Sequence, residues 1–138
     1  MRLLDVKGNL RNKAVSKYII DWDEPSRSKL QFRAKKFFEP YWSAHIVYEE
    51  FPVYGSRMRL DFFNATYKVA VEINGQQHSK YNPFFHNGSR NNFLTSIRRD
   101  SSKRKWAELN DFLFIEIEYD EVDSLTTEWF EEKYDLIL

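Results

Sequence analysis

Asp61 and Glu72, in the stretch RLDFFNATYKVAVEINGQQH spanning 59–78, are the residues of this chain best suited to chemistry. The stretch reads as two strands joined by a tight turn, each strand carrying one carboxylate. A polar run, Asn74, Gly75, Gln76, Gln77 and His78, follows the second. Two carboxylates on adjacent strands make a cradle of hard oxygen donors for a divalent cation. The cradle depends on register, because successive side chains of a strand point to opposite faces. Asp61 faces Glu72 only if the turn falls within Ala65–Lys68. A turn at Asn64-Ala65 would set Asp61 against Lys68 and Glu72 against Arg57, two ordinary cross-strand ion pairs. No Asn-Gly turn forces either choice. The polar cluster after Glu72, which a surface ladder would not need, favours the first.

The elements that must hold the pair follow from periodicity. From Ser28 to about Tyr41, Leu30, Ala34, Phe37 and Phe38 recur at helical spacing. Arg27, Lys29, Arg33, Lys35 and Lys36 form the other face of this helix, and Pro40 reads as its end. Ala44–Val53, Arg57–Phe63 and Thr66–Asn74 read as strands. The second has Met58, Leu60 and Phe62 on one face; the third sets Val69, Val71 and Ile73 opposite Ala70, Glu72 and Asn74. A polar, aromatic loop runs from Gly75 to about Ser89, a length that is commonly functional or disordered. A helix from about Asn91 to Asn110, a strand from Phe112 to Tyr119 and an acidic helix marked by Leu125, Trp129, Phe130, Leu136 and Ile137 complete the chain. Residues 1–22 fit either a short helix or an arm. The order predicts an α/β three-layer sandwich, a central mixed four-stranded sheet flanked by helices. The 138 residues read as one domain, with an N-terminal extension over 1–25, a core over 26–119 and an acidic helix over 120–138.

Composition narrows the function classes. Aromatic residues make up 17%, so Phe, Tyr and Trp are expected to fill the core. The absence of cysteine excludes disulfides and thiolate metal sites and fits a reducing cytoplasm. No apolar run is long enough for a membrane span and MRLLDVKGN lacks a signal-peptide core, so a cytoplasmic protein without a membrane partner is expected. The net charge of zero conceals an asymmetry: residues 1–105 hold 20 of the 21 Lys and Arg but 10 of the 21 acids. A basic body with an acidic tail is compatible with a polyanionic partner, although both blocks can equally be solvated helix faces.

Asp61 followed by Glu72-Ile73-Asn74-Gly75-Gln76-Gln77-His78 resembles the PD-(D/E)xK nuclease signature, most closely the branch of very-short-patch-repair-like endonucleases, whose strand ends E-I-D-G-x-x-H. The helix, three strands, helix, strand order over about 26–119 resembles that superfamily's restriction-endonuclease-like core. Arg99, Asp100 and Arg104 before the last strand resemble the same branch's second helix. The resemblance implies a Mg²⁺-dependent DNA endonuclease, cleaving or nicking phosphodiester bonds, with Mn²⁺ as an alternative ion. Asp61, Glu72 and the carbonyl of Ile73 would hold the metal, with Asn74, Gln76 and His78 as further catalytic residues. The pattern departs in three places. Asn74 stands where the motif has Lys, with Lys80 offered as its replacement; Leu60 stands where Pro precedes the first acid; Gln31 or Lys29 stands where the first helix carries an acid. Such departures also fit an alternative, a catalytically degenerate nuclease fold serving as a DNA-binding or protein-interaction module.

Lys29, Arg33, Lys36, Arg59, Lys80, Arg99 and Lys103 are the expected phosphate contacts, which give affinity without sequence information. Tyr81, Phe84 and Phe85 would either stack on bases or cap the core. His45 and His86 read as structural, and His78 and His86 fit no zinc spacing. Glu116 and Glu118 read as a solvated edge face or a support for the site. A domain this small lacks target-recognition modules, so DNA structure, a homodimer or a partner protein would supply specificity.

Overall fold

The computed structural model describes the backbone of residues 1–75 and 90–138, and the side chains of residues 1–75, 98 and 101–138. Four strands form the central sheet: β3 (Val47–Pro52), β4 (Arg59–Asn64), β5 (Val69–Asn74) and β6 (Leu113–Glu118), ordered β3-β4-β5-β6. The first three are antiparallel neighbours and β5 pairs parallel with β6, so the sheet is mixed as expected. The parallel pair requires a crossover, which helix α2 (Arg90–Leu109) supplies. Helices α1 (Lys29–Trp42) and α3 (Thr127–Tyr134) complete the α/β architecture.

The sheet is apolar on both faces because each is covered. On one, Val47, Phe62, Val69, Val71, Ile115 and Ile117 pack against Ala34, Phe38 and Trp42 of α1 and Phe130 of α3. On the other, Phe51, Leu60, Phe63, Ala70 and Phe114 pack against Trp106 and Ala107 of α2. The expected division of β5, with Val69, Val71 and Ile73 opposite Ala70, is present.

Three local expectations differ. Pro40 lies inside α1 rather than ending it. Its missing N–H falls in the final turn, and that turn is held by the buried Trp42 ring, stacked on Phe38 at 4.2 Å, and by the Ser43 N–H donating to the Glu39 carbonyl. Residues 1–22 are neither helix nor loose arm. Strands β1 (Arg2–Leu4) and β2 (Leu10–Asn12) form a hairpin, followed by a 3-10 turn at Ser16–Tyr18. The hairpin is tied down: Trp106 Nε1 donates to the Leu4 carbonyl (2.7 Å), Tyr54 Oη to the Met1 carbonyl (2.8 Å) and the Val6 N–H to the Tyr54 carbonyl (3.0 Å). Gly55 (φ +81°) permits this approach, since a Cβ there would meet Asp5 Cβ at 3.0 Å. The closing acidic segment is not one helix over 120–138 but a 3-10 turn at Val122–Ser124 followed by the eight-residue α3. Both sheet edges are partly covered. The Tyr134 hydroxyl accepts from the Glu116 N–H (3.1 Å) and donates to the Glu116 carbonyl (3.2 Å), and Ile19 and Ile20 pair with the start of β3. Among the described residues no helix is long and apolar enough to cross a membrane.

Candidate active site

The register of β4 and β5 is Asn64↔Val69, Phe63↔Ala70 and Phe62↔Val71, with the turn over 65–68. The ladder ends at Phe62↔Val71, and one residue further side-chain hydrogen bonds set Asp61 beside Glu72, the arrangement a paired site requires, and not beside Lys68. The turn is shaped locally: Asn64 Oδ1 accepts from the Tyr67 N–H (2.9 Å), and Lys68 leaves it with φ +58°. His45 is structural as expected, bonded to the Asn64 amide at 3.0 Å and packed on the Tyr67 ring.

Past Phe62 and Val71 the two strands exchange side-chain hydrogen bonds. The Asp61 N–H donates to Glu72 Oε1 (3.0 Å), and the Ile73 N–H donates to Asp61 Oδ2 (2.7 Å). Each carboxylate is thus fixed by the neighbouring strand's backbone. In extended backbone the carbonyl of a residue points to the same side as its N–H, so Ile73 offers its oxygen toward Asp61.

The irregularity begins on β3. Glu50 has φ +55°, a left-handed conformation that is uncommon for a non-glycine residue. The β3–β4 ladder pairs Glu49 with Phe62 and Phe51 with Leu60, skipping Glu50 and Asp61. The alternation slips there, so Leu60 joins the α2 side while Phe62 faces α1. This corrects the expectation that Met58, Leu60 and Phe62 share a face. Such kinks re-aim side chains at sites. Beneath Glu50, Gln31 Nε2 donates to Glu49 Oε2 (3.0 Å) and Glu50 Oε1 (3.1 Å), Ser26 Oγ donates to Glu49 Oε2 (2.6 Å), and the fully buried Lys35 reaches Glu49 Oε1 (2.8 Å). Gln31 therefore supports Glu50.

Asp61 and Glu72 are 4% and 5% exposed. Burial is the largest influence on both, and it pushes Asp61 up to about 6 and Glu72 up to about 8. The charge of Asp61 raises Glu72 further. Lys103 and Arg27 work against these rises. Lys103 Nζ lies 2.9 Å from Glu72 Oε2, and Arg27 Nη2 lies 3.8 Å from Asp61 Oδ1.

Asn74 is 4% exposed, and its amide donates to Glu116 Oε2 and Glu118 Oε1, both at 3.1 Å. Arg104 forms an ion pair with Glu116. Glu116 and Glu118 are therefore partners of the residue in the motif's Lys position, not a solvated edge face. Of the expected phosphate contacts, Lys103 has a side chain 15% exposed and turned onto Glu72. Arg33 pairs with Asp123 (2.9 Å), and Lys36 reaches the Trp22 carbonyl (2.7 Å) and Glu39 (3.1 Å). Lys29 and Arg59 are exposed. Gln76, His78, Lys80, Tyr81, Phe84, Phe85 and His86 lie outside the described residues, as does the side chain of Arg99.

Lys103 and Glu50 were the residues whose roles the sequence concealed. Lys103 lies one turn before the buried Trp106, so helical spacing sets both toward the sheet. Glu49 and Glu50 form an acidic doublet in an otherwise apolar strand, a signal for burial with a purpose.

Among the described residues no group of three His, Asp or Glu side chains converges to hold a metal. Two buried carboxylates and one carbonyl nevertheless suit Mg²⁺, which takes one or two protein carboxylates and keeps several waters. The raised Asp61 and Glu72 carboxyls fit the same ion, since an added cation would relieve the burial and repulsion that raise them.

No family model matches this chain, and no solved structure matches it. Over 89 residues, 64% of this chain and 45% of the relative, it is 32% identical to the uncharacterized protein 033L of Invertebrate iridescent virus 3. Over 68 residues, 49% of this chain and 44% of the relative, it is 32% identical to the uncharacterized protein 094L of Frog virus 3 (isolate Goorha). The matched segments span less than half the length of these curated relatives.

Proposed function

We propose that this chain is a Mg²⁺-dependent DNA endonuclease with a restriction-endonuclease-like fold, similar to the PD-(D/E)xK superfamily. The observation that carries the reading is Asp61 set against Glu72, both buried and each anchored by a backbone N–H of the opposite strand. Asp61, Glu72 and the Ile73 carbonyl would hold Mg²⁺, or Mn²⁺ in its place. The ion, when bound, supplies Lewis acidity and a water of lowered pKa. Lys103 keeps a positive charge beside Glu72, where it stabilises negative charge developing on a transferring phosphoryl group. Asn74 is spent on Glu116 and Glu118, so its part is to position β6 against β5 rather than to replace the motif's Lys. His78, as general acid or base or as the group that orients the attacking water, and Gln76 in support remain the expected further catalytic residues.

The test is nicking of supercoiled plasmid with Mg²⁺ or Mn²⁺ by the wild type, Asp61→Asn and Glu72→Gln. Metal-dependent nicking lost in both variants supports the reading; nicking unchanged in both sinks it. A second reading, the degenerate nuclease fold as a binding module, draws on Lys103 already neutralising Glu72. Salt-sensitive DNA binding without nicking would favour that module.

A further inference from the structure

Beside the carboxylate pair, toward β3 and β4, lies a cleft of about 580 Å³ lined by Arg27, Glu50, Arg57, Met58, Arg59 and Lys103. Four cations therefore share a wall with one carboxylate, and Asp61 lies behind Arg27. Arg57 and Arg59 are both exposed, two residues apart at the head of β4. The Arg27 side chain is 72% exposed and stands 3.9 Å from Glu50 Oε1 and 3.8 Å from Asp61 Oδ1. Those separations exceed hydrogen-bond length, so the guanidinium is loosely held and available to a better partner. A phosphate is such a partner, because its oxygens match the planar guanidinium fork.

We propose that this cleft is a separate phosphate-binding subsite, in which Arg27, Arg57 and Arg59 take backbone phosphates of a nucleic-acid strand flanking the bond held at Asp61 and Glu72. The choice of a strand as ligand rests on the function proposed above; the anion site itself rests on the cleft. Among the described residues no aromatic ring lines it, so the described lining offers no platform for stacking a base. Its contribution is affinity without sequence preference. Arg27 exchanges Glu50 and Asp61 for a phosphate when the strand enters, which leaves Asp61 free to hold a cation.

The test measures binding of two fluorescently labelled duplexes of unrelated sequence, in EDTA, across 50–200 mM salt. It compares the wild type, the triple variant Arg27→Gln/Arg57→Gln/Arg59→Gln and the control Lys7→Gln, an exposed cation in the β1–β2 turn. The triple variant should bind at least 10-fold more weakly at low salt. Its slope of log K against log salt should be shallower by about 2–3, equally for both sequences, since each phosphate contact contributes about 0.9. Lys7→Gln should leave affinity and slope nearly unchanged. Thermal melting checks the fold of the triple variant, and if it melts early, Arg57→Gln alone should flatten the slope by about one. No binding by the wild type, an unchanged slope, or a loss confined to one sequence would overturn the subsite. So would displacement of DNA by inorganic phosphate at equal nucleotide-phosphate concentration and ionic strength, because a strand engages several phosphates at once. Binding that follows these expectations without any metal-dependent nicking would overturn hydrolysis and leave the subsite standing.

Discussion

Lys103 Nζ stands 2.9 Å from Glu72 Oε2, so a cation arrives at the buried carboxylate from helix α2 and not from β5. Asn74, two residues beyond Glu72, faces β6 and bonds two further carboxylates. Lys103→Met should therefore lower single-turnover nicking about 10²–10³-fold, the usual cost of removing one charge-stabilising donor. Lys103→Arg should recover part of it. A loss of DNA affinity with an unchanged turnover rate would return Lys103 to the phosphate-contacting rim.

The carboxylate pair predicts a pH dependence of stability with a definite sign. Glu72 rises from 4.5 to about 8 and Asp61 from 3.8 to about 6 on folding. Between about pH 4 and pH 8 the folded chain thus holds protons that the unfolded chain has released, and stability falls as pH rises through that window. Metal-free protein should melt lower at pH 8 than at pH 5. Asp61→Asn should shrink the difference, and Mg²⁺ at pH 8 should offset it. A melting temperature that rises steadily over the window would contradict the assignment.

Lys35 is fully buried against Glu49, itself a partner of Gln31 and Ser26. Removing one member of a buried pair strands the other's charge, so Lys35→Met should cost about 3–5 kcal/mol in urea denaturation. Gln31→Leu removes the amide that donates to Glu49 and Glu50 but leaves the Lys35–Glu49 pair intact, so it should cost less, about 1–3 kcal/mol. A cost as large as that of Lys35→Met would contradict the ion pair as the dominant contact.

Trp106 anchors the N-terminal hairpin through its indole N–H on the Leu4 carbonyl. Trp106→Phe removes that donor and leaves the carbonyl sharing only the Asn110 amide at 3.1 Å. A cost of about 1–3 kcal/mol is expected, with faster amide exchange confined to residues 2–12. Uniform acceleration across the sheet would show that the hairpin is no separate unit.

The large elements were legible because their apolar periods are strong: α1 from Leu30, Ala34 and Phe38, β5 from Val69 and Val71, β6 from Ile115 and Ile117. The β4–β5 register was legible as two alternatives, of which the polar cluster after Glu72 favoured the one found, although no Asn-Gly turn in 64–69 forces it. What decides it is long-range, the joint burial of Phe62 and Val69 beneath α1 and Phe63 and Ala70 beneath α2. The N-terminal hairpin was hidden for a similar reason. Its strands are three residues each, with β2 exposed, and they are held by Trp106, Tyr54 and Asn110 from distant parts of the chain. The Glu50 kink was unreadable because no sequence signal marks a left-handed glutamate. Within the site, residue types were visible and partners were not. Asn74 was expected as a catalytic residue in the motif's Lys position, and its partners Glu116 and Glu118 on β6 could not be read from the sequence.

The Tyr134 hydroxyl occupies both outward polar groups of Glu116, and residues 19–20 lie along the opposite margin of the sheet. Strand margins left open invite another chain to add on, a route to both dimers and fibres. Here one hydroxyl of α3 acts as a stopper at the middle of β6, so two copies cannot zip together there without displacing it. Self-association through a continuous sheet is thereby disfavoured, and loss of this stopper, as in Tyr134→Phe, would raise the tendency to aggregate before it touched the carboxylates.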